Sequence, residues 1–497
     1  MRLSAKAVII SILSSTGSSS GRTVFRGTIQ HTRLRGVDLG VMDFSELRAH
    51  GLYCIQAGTA ISAAFSIAPD VYEPSAWKVL NFFFSQRCGM AIPGKHRACH
   101  ADLLLVHGKQ SIVANGGWHD AADLAQGMAN TADATAALFL LADRCRKHPA
   151  LYQRVLEEAQ WGLDYVLKTR FGDGFRSEYS SASIWTDGII GTEDDLVSHA
   201  TENPANNFVS AFAEACGAFS LREEDPALAS YALRLAREDF AFGRKQCERA
   251  LKDDPALHVS FDEVQLFAES LSAAAALLRA GDESVLADAV TFADLLIQCQ
   301  QQDAPDWEIP LYGFYYTDRT HRLPLHHAHH SFEQYTTVGL EMLLKACPEH
   351  EHAARWRAAL QRSADYYRAL SSFTEPYGIL PEGVYFADEA ERWPEETLRH
   401  IIWGDEACLR DFRPQVENGF CLDRASQVYL RVFPVWFSFR GNSAIHLGMG
   451  RAAALLGSYF EDDQLTQIAM EQLEWTLGKN PFVQSLVYGV GKRYASQ

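Results

Sequence analysis

The feature that most restricts the fold is a helical pattern through most of this 497-residue chain. From about residue 74 onward, apolar residues recur at the three- and four-residue spacing of amphipathic helices, as in residues 150–169. Ser260–Glu263 has the sequence of a capping box, which predicts the start of another helix. About a dozen such segments joined by loops predict a barrel of paired helices. A helical solenoid is the alternative, but no fixed repeat period is present, and no strand run is recognised after residue 100.

The first part of the chain has a different pattern. Thr23–Ile29 and Leu52–Gly58 are short runs with strand-like composition and glycine breaks. They predict a small β-sandwich of immunoglobulin type over residues 1–72, followed by a mainly α domain over residues 73–497. The apolar run Ala7–Leu13 fits either the first strand of this β domain or a weak signal peptide, and we favour the strand.

The charge balance excludes two classes of partner. Lys and Arg total 45 and Asp and Glu total 62, so the formal net charge is −17. Such a surface repels phosphate backbones and anionic lipid heads, so we expect neither a nucleic acid nor a membrane partner. No apolar run reaches the roughly 18 residues that a membrane-spanning helix needs. A neutral ligand is compatible with this surface, and the sequence does not determine the oligomeric state.

The segment Gly116–Asp123, Gly-Gly-Trp-His-Asp-Ala-Ala-Asp, holds two carboxylates three residues apart. The glycines allow a sharp turn and the helical pattern resumes near Gly127, so Asp120 and Asp123 are expected on a loop that enters a helix. There, both carboxylates can face one water. Hydrolysis of a glycosidic bond uses one carboxylate to activate water and another acid to protonate the leaving oxygen. The alternative is a pair of aspartates that cap a helix.

This segment resembles glycoside hydrolase family nine, and other parts of the chain carry the same resemblance. They are Phe84–Gly89, Ala98–His100, Arg440–Asn442 and Leu477–Ser485. The resemblance extends over nearly the whole chain and is strongest to the subgroup with an N-terminal immunoglobulin-like domain. It implies an (α/α)6 barrel.

The resemblance also implies a reaction, a substrate and a location. The reaction is the inverting hydrolysis of β-1,4-linked glucan or related oligosaccharides, in which Asp123 is the base and Asp120 orients the water. Trp118 offers a flat ring to a sugar, although most tryptophans of helical barrels lie in the core. Arg440 is either a substrate contact or a buried structural arginine. Relatives of this kind are secreted or periplasmic, but the chain has no clear signal peptide.

Two departures from the family pattern concern catalysis. Ala122 stands where the family usually has glycine. The general-acid glutamate of the family lies downstream of Asn-Pro-Phe-x-Gln-Ser, and the chain ends at Gln497 before such a residue. Glu333 and Glu382 have suitable local contexts but lie elsewhere. We therefore expect a helical domain truncated at its C-terminus, with a catalytically inactive carbohydrate-binding relative as the alternative function.

Cys88, Cys99, His100 and His119 form a candidate zinc set, since thiolates and imidazoles are the ligands of closed structural zinc sites. Their spacing is not the regular Cys-x-x-Cys, and ligands at adjacent positions are sterically tight. The alternatives are ordinary buried side chains, or a Cys88–Cys99 disulfide in an exported protein. The resemblance favours zinc, because some members of the subgroup bind it at these motif positions. A hydrolase that uses this zinc directly is a third hypothesis, against which a full set of four ligands argues.

Three weaker features remain. Trp161, Trp185 and Trp475 are further rings that either contact sugar or belong to the core. The histidine cluster at 326–330 fits a solvated loop, and otherwise the cleft or a metal site. Glu193–Asp195 could supply oxygen ligands to calcium, although a surface acidic run is the simpler interpretation.

Overall fold

The chain folds into two compact units, Met1–Asn81 and Phe82–Gln497. The boundary falls inside the first helix, α1 (Glu73–Ser85), whereas the predicted boundary follows residue 72. The computed structural model describes residues 7–12, 22–34, 37–120, 124–180, 184–252, 262–326, 332, 334–392, 406–432 and 442–495.

The N-terminal unit is built from antiparallel strands that fit an immunoglobulin-like domain. Its strands are β1 (Ala7–Ile12), β2 (Thr23–Thr28), β3 (Gln30–Leu34), β4 (Val37–Val41), β5 (Gly51–Ala57), β6 (Ala60–Ile61) and β7 (Phe65–Ile67). In the main sheet, β1 lies between β2 and β5, and β5 also pairs with β6 and β7, while β3 and β4 form a hairpin. The favoured strand interpretation of the first apolar run is therefore confirmed. The buried Tyr53 donates a hydrogen bond from its hydroxyl to the Ala49 carbonyl at 2.7 Å, a contact typical of such domains.

The second unit is mainly helical. Its helices after α1 are α2 (Met128–Cys145), α3 (Pro149–Lys168), α4 (Pro204–Ser220), α5 (Pro226–Ala250), α6 (Glu263–Arg279), α7 (Leu286–Gln298), α8 (Tyr335–Ala346), α9 (Ala353–Ser371), α10 (Glu389–Arg392), α11 (Glu406–Glu417), α12 (Asn442–Phe460) and α13 (Asp463–Leu477). Proline in the first turn starts α3, α4 and α5, where its missing N–H costs no hydrogen bond. Among the described residues, none of these helices combines the length and the apolar character needed to cross a membrane.

Within the described residues, five helix pairs form an inner and an outer layer. The pairs are α2 with α3, α4 with α5, α6 with α7, α8 with α9, and α12 with α13. The inner members follow one another in space, since α2 packs on α4, α4 on α6, α6 on α8, and α8 on α12. Helices α4, α6 and α8 are buried almost all round, whereas the outer helices bury one face. This contrast is typical of a barrel of paired helices.

A buried arginine forms hydrogen bonds with three of these helices. Arg176 donates hydrogen bonds to Asp239 in α5 at 2.6 Å, to Glu214 in α4 at 2.8 Å and to the Val166 carbonyl in α3 at 2.7 Å. Burial raises the pKa of Glu214 well above its usual value. The guanidinium compensates part of this cost, since a buried charge is tolerated only when it is paired and hydrogen-bonded.

The expectation that no strand follows residue 100 is wrong. The second unit holds β8 (Leu103–His107), β9 (Gln110–Val113), β10 (Gln126–Gly127), β11 (Tyr179–Ser180), β12 (Leu196–His199), β13 (Gly383–Phe386), β14 (Phe420–Asp423) and β15 (Val428–Arg431). They make small sheets of two or three strands. Strand β8 is not recognisable from the sequence, because Leu103–Val106 is an unbroken apolar run without alternation. Periodicity cannot distinguish such a run from a buried helix segment.

The contact between α2 and α3 at Gly162 gives a first prediction. A Cβ at this glycine would lie 2.1 Å from Thr135 Oγ1 and 2.4 Å from Trp118 Cη2. We expect Gly162→Ala to lower the free energy of unfolding by about 1–3 kcal/mol, because the added methyl group overpacks the contact. Urea unfolding followed by circular dichroism measures the change.

Gly172 provides the control, because a Cβ there meets no atom within 4 Å. Gly172→Ala should change the free energy of unfolding by less than about 0.5 kcal/mol. Equal stability of the two variants would contradict the close approach of α2, α3 and Trp118.

Candidate active site and metal cluster

The motif starts with a turn that requires glycine. Gly116 has φ of 101° and Gly117 has φ of 65°, in the left-handed region that other residues rarely adopt. After the turn the chain pairs with the segment that follows α1. The His119 N–H donates to the Gln86 carbonyl at 2.9 Å, and the Cys88 N–H donates to the Gly117 carbonyl at 3.0 Å. The turn therefore brings His119 beside the cysteine-bearing segment.

Asp120 lies immediately after this pairing, on the loop that enters α2, and is exposed. Its N–H donates to the Ala125 carbonyl at 2.9 Å, and its Oδ2 accepts a hydrogen bond from Asn130 Nδ2 at 2.5 Å. Gly127 leaves room for this contact, since a Cβ there would lie 3.4 Å from Asp120 Oδ2. Sequence reasoning missed Asn130, because a polar residue in the first turn of a helix is common and carries no distinctive signal.

Trp118 lies in the protein core. Its exposed fraction is 5%, and its indole N–H donates to Glu158 Oε2 at 3.2 Å. The Phe83 ring meets it edge-on with centroids 5.2 Å apart, and Arg87 pairs with Glu158 at 3.0 Å. A ring enclosed in this way does not offer a face to a sugar. The predicted substrate contact at Trp118 is therefore corrected to a packing contact that anchors the motif.

The other three tryptophans differ in exposure. Trp161 is half-buried and donates a hydrogen bond to the Gly117 carbonyl at 2.8 Å, so it too supports the turn. Trp475 is buried, whereas Trp185 is 46% exposed. Of the four, Trp185 alone has a substantial area available to a ligand.

Cys88, Cys99, His100 and His119 come together as predicted. Each offers one ligand atom, and these atoms lie within 4.8 Å of one another. Cys88 Sγ is 3.0 Å from His100 Nδ1, Cys99 Sγ is 3.3 Å from His119 Nε2, and the sulfurs are 3.7 Å apart. A tetrahedral zinc ion with bonds of about 2.0–2.3 Å places its ligands about 3.3–3.8 Å apart. The two distances that involve Cys99 fall within this range and the Cys88–His100 distance is shorter, so the four buried side chains form a candidate closed metal site.

The backbone at His100 explains how adjacent residues can both face the cluster. His100 has φ of 56°, a left-handed conformation that is uncommon outside glycine. This turn directs the side chains of Cys99 and His100 towards one point, which removes the steric objection to adjacent ligands. Backbone strain of this kind persists where the surrounding structure requires it, often at a functional site.

The two thiols of the cluster are electrostatically distinct. Burial raises the pKa of Cys88. The hydrogen bond between the thiols, followed by the contacts with His100 and His119, lowers the pKa of Cys99. Metal binding requires thiolate, so the cluster already favours one deprotonated ligand.

The acidic run at 193–195 contributes to a second group of carboxylates. Asp194 and Asp195 lie close to the buried Asp102, whereas Glu193 is exposed and outside the group. Asp195 Oδ2 accepts a hydrogen bond from the Gly191 N–H at 2.8 Å. Calcium at this group stays a prediction.

His326 and Glu382 line one cavity beside α8 and α9. His326 Nε2 lies 2.9 Å from Glu389 Oε1, and its ring stacks on Tyr385 with centroids 3.7 Å apart. Burial raises the pKa of Glu389 well above its usual value. The expected solvated loop is therefore wrong for His326, which sits against a buried carboxyl group. The remaining candidates lie outside the described residues: Asp123, His327, His329, His330, Glu333 and Arg440.

Comparison with known proteins identifies relatives of the helical unit. The model of glycosyl hydrolase family 9 matches residues 72–497. A cellodextrinase of Butyrivibrio fibrisolvens is 34% identical over 133 residues, 24% of this chain and 24% of that protein. Endoglucanase C of Cellulomonas fimi is 25% identical over 314 residues, 51% of this chain and 28% of that protein. The chain thus spans about a quarter of the length of these curated relatives.

Solved structures show the same fold. A thermostable endoglucanase from Alicyclobacillus acidocaldarius, a single mutant, superposes with a TM-score of 0.64 at 20% identity, over 99% of this chain and 81% of that one. A structure described as a zinc-binding triple mutant of the family 9 endoglucanase J30 superposes with a TM-score of 0.61 at 19% identity, over 99% and 82%. These neighbours confirm the (α/α)6 barrel preceded by a small β domain.

The family match covers most of the chain and includes the Gly116–Asp123 motif, the cysteine and histidine cluster and the barrel helices described above. The chain belongs to glycosyl hydrolase family 9.

Proposed function

We propose that this protein hydrolyses β-1,4-glycosidic bonds of glucans or their oligosaccharides with inversion of configuration. The observation that carries the proposal is Asp120, an exposed carboxylate fixed at the entrance of α2 by the glycine turn and by Asn130. Membership of the family and the names of the relatives, cellodextrinase and endoglucanase, support a glucan substrate. The net charge of −17 is compatible with a neutral substrate.

The two aspartates of the motif have different roles in the reaction. Asp123 acts as the general base, which removes a proton from water as the water attacks the anomeric carbon. Asp120 orients that water. Holding a reacting water in one orientation contributes to the rate because less freedom is lost in the transition state.

The proton donor to the leaving oxygen has no assigned residue among those described. Glu382 is half-buried in the cavity that also contains His326, and Glu333 lies outside the described residues. In an aryl glycoside whose phenol is very acidic, the phenolate leaves without being protonated. The cleavage rate of such a substrate therefore depends on the general base and not on the proton donor.

Asp123→Ala tests the base. We expect the variant to lose at least about 10²-fold in rate, since general base catalysis contributes on the order of 10²–10⁴-fold. The rate is measured as reducing-sugar release from soluble β-1,4-glucan and as dinitrophenol release from 2,4-dinitrophenyl β-cellobioside. Asp411→Ala is the matched control on the exposed surface of α11, and it should retain the parent rate.

The two substrates distinguish a chain that lacks only its proton donor from a chain that is not a hydrolase. Cleavage of the aryl glycoside without cleavage of glucan means that the base works and that the proton donor is missing. If the parent chain binds glucan but cleaves neither substrate, the hydrolase proposal is wrong.

We also propose that Cys88, Cys99, His100 and His119 bind a structural zinc ion. The support is that their ligand atoms lie within 4.8 Å of one another and that one structural neighbour is described as zinc-binding. A site with four protein ligands leaves no position for substrate or water, so zinc here would stabilise the fold rather than perform hydrolysis. By fixing His119, it would restrain the adjacent Asp120.

Cys99→Ser tests the metal site. We expect the purified parent to contain about one zinc per chain and the variant to lose most of it, because a serine hydroxyl is a poor replacement for thiolate. Elemental analysis by mass spectrometry measures the content, and thermal unfolding should show a lower Tm for the variant and for parent protein treated with a chelator.

Cys247→Ser is the control, because Cys247 is a buried cysteine in α5 outside the cluster. It should keep the metal content of the parent. Absence of metal from the parent after growth with zinc, or equal zinc in both variants, would overturn the assignment.

A further inference from the structure

The cysteine and histidine cluster contains two thiols that are in contact with each other. Cys88 Sγ and Cys99 Sγ lie 3.7 Å apart, and the two residues are 0% and 6% exposed. A disulfide bond is about 2.05 Å long, so the sulfurs must approach by about 1.7 Å to form one. Rotation of the two side chains can supply a movement of this size. The pair can therefore exist as two thiols or as one disulfide.

The segment between the two cysteines turns back on itself and keeps its ends together. The Ile92 N–H donates to the His96 carbonyl at 2.9 Å, and the Lys95 N–H donates to the Ile92 carbonyl at 3.0 Å. The Gly89 N–H donates to Cys99 Sγ at 3.5 Å, so the start of the segment contacts its end. The backbone of this short loop thus holds the two sulfurs close to each other.

A disulfide and a zinc ion would compete for these two sulfurs. Zinc binds the thiolate form of cysteine, and a sulfur in a disulfide no longer carries that negative charge. The cluster offers four ligand atoms within 4.8 Å of one another, and the disulfide removes two of them at once. The imidazoles of His100 and His119 alone are fewer than the four ligands of a structural zinc site. Zinc binding and the disulfide therefore exclude each other.

The cysteines also contact the motif that carries Asp120. The Cys88 N–H donates to the Gly117 carbonyl at 3.0 Å, and Cys99 Sγ lies 3.3 Å from Nε2 of His119, the residue before Asp120. Disulfide formation draws the Cys99 sulfur towards Cys88 and removes the zinc that would fix His119. The restraint next to Asp120 is therefore weaker in the disulfide form.

We propose that Cys88 and Cys99 form a redox switch that couples the zinc content of the cluster to the order of the loop that carries Asp120. In the reduced state, both thiolates bind zinc and His119 is fixed. In the oxidised state, the two sulfurs form a disulfide and zinc is released. This inference rests on the zinc site proposed above and does not rest on the hydrolytic activity.

The oxidant of the switch is a peroxide. One thiolate attacks hydrogen peroxide, breaks the O–O bond and becomes a sulfenic acid, with release of hydroxide. The second thiolate attacks the sulfenic sulfur and displaces a second hydroxide, which forms the disulfide. The two thiolates thus lose two electrons, peroxide gains them, and zinc leaves as Zn²⁺ with its charge unchanged. A dithiol reverses the oxidation by thiol–disulfide exchange.

The experiment treats the zinc-loaded full chain with hydrogen peroxide and measures zinc and thiols in the same sample. A chromogenic indicator measures the released zinc, and alkylation followed by peptide mass spectrometry identifies the linked cysteines. We expect about one zinc ion released for each Cys88–Cys99 disulfide formed. Dithiothreitol and added zinc should restore both the thiols and the zinc content.

Hydrogen–deuterium exchange measures the coupling to the loop. Peptides that cover residues 116–120 should exchange at least about fivefold faster in the oxidised chain, because the restraint on His119 is lost. Peptides from α5 lie outside the cluster and should exchange equally in both states. This measurement does not require that the chain hydrolyses glucan.

Two variants serve as controls. Cys247→Ser keeps both cluster thiols and should release zinc and form the disulfide like the parent. Cys88→Ser removes one partner, so its Cys99 should be oxidised to sulfinic acid, which dithiothreitol does not reverse. The measurements on the parent decide the proposal even if Cys88→Ser fails to fold.

The outcomes distinguish failure of the switch from failure of the zinc site. A parent that retains its zinc under peroxide, or that releases zinc without the Cys88–Cys99 disulfide, would overturn the switch and leave the zinc site standing. A parent that binds no zinc would overturn both. Equal exchange of residues 116–120 in the two states would contradict the coupling to the loop.

Discussion

Gly116 and Gly117 hold left-handed backbone conformations, and the three residues after them point to three different environments. Trp118 enters the core, His119 faces Cys99, and Asp120 is exposed at the entrance of α2. A side chain on either glycine would strain the turn and disturb this separation. One backbone constraint thus places the packing residue, the proposed metal ligand and the proposed catalytic carboxylate at consecutive positions.

The elements around the turn restrain it from several sides. The Trp161 indole donates a hydrogen bond to the Gly117 carbonyl, and the Trp118 indole donates one to Glu158. On the other side, Asn130 holds Asp120 from the first turn of α2. Reacting groups work best when rigid elements and supporting contacts hold them in place. A zinc ion on His119 would add one more restraint next to the carboxylate that we assign to the attacking water.

Much of this arrangement was predictable from sequence, because it depends on local patterns. The periodicity predicted the helices, and ligand chemistry with family resemblance predicted that Cys88, Cys99, His100 and His119 lie together. The burial of Trp118 was not predictable, since it depends on Gly162 in α3, far away in the sequence. The role of Asn130 was not predictable either, since it depends on the contact with Asp120 in the folded chain.

The stereochemistry of the first product tests the central claim most directly. Proton NMR during cleavage of a β-1,4-linked oligosaccharide, or of an activated aryl β-cellobioside if glucan is not cleaved, shows which anomer appears before mutarotation. The account predicts the α-anomer, because a water activated by Asp123 attacks the face opposite the leaving group. Initial release of the β-anomer would indicate a covalent glycosyl-enzyme intermediate and contradict the roles assigned to Asp120 and Asp123.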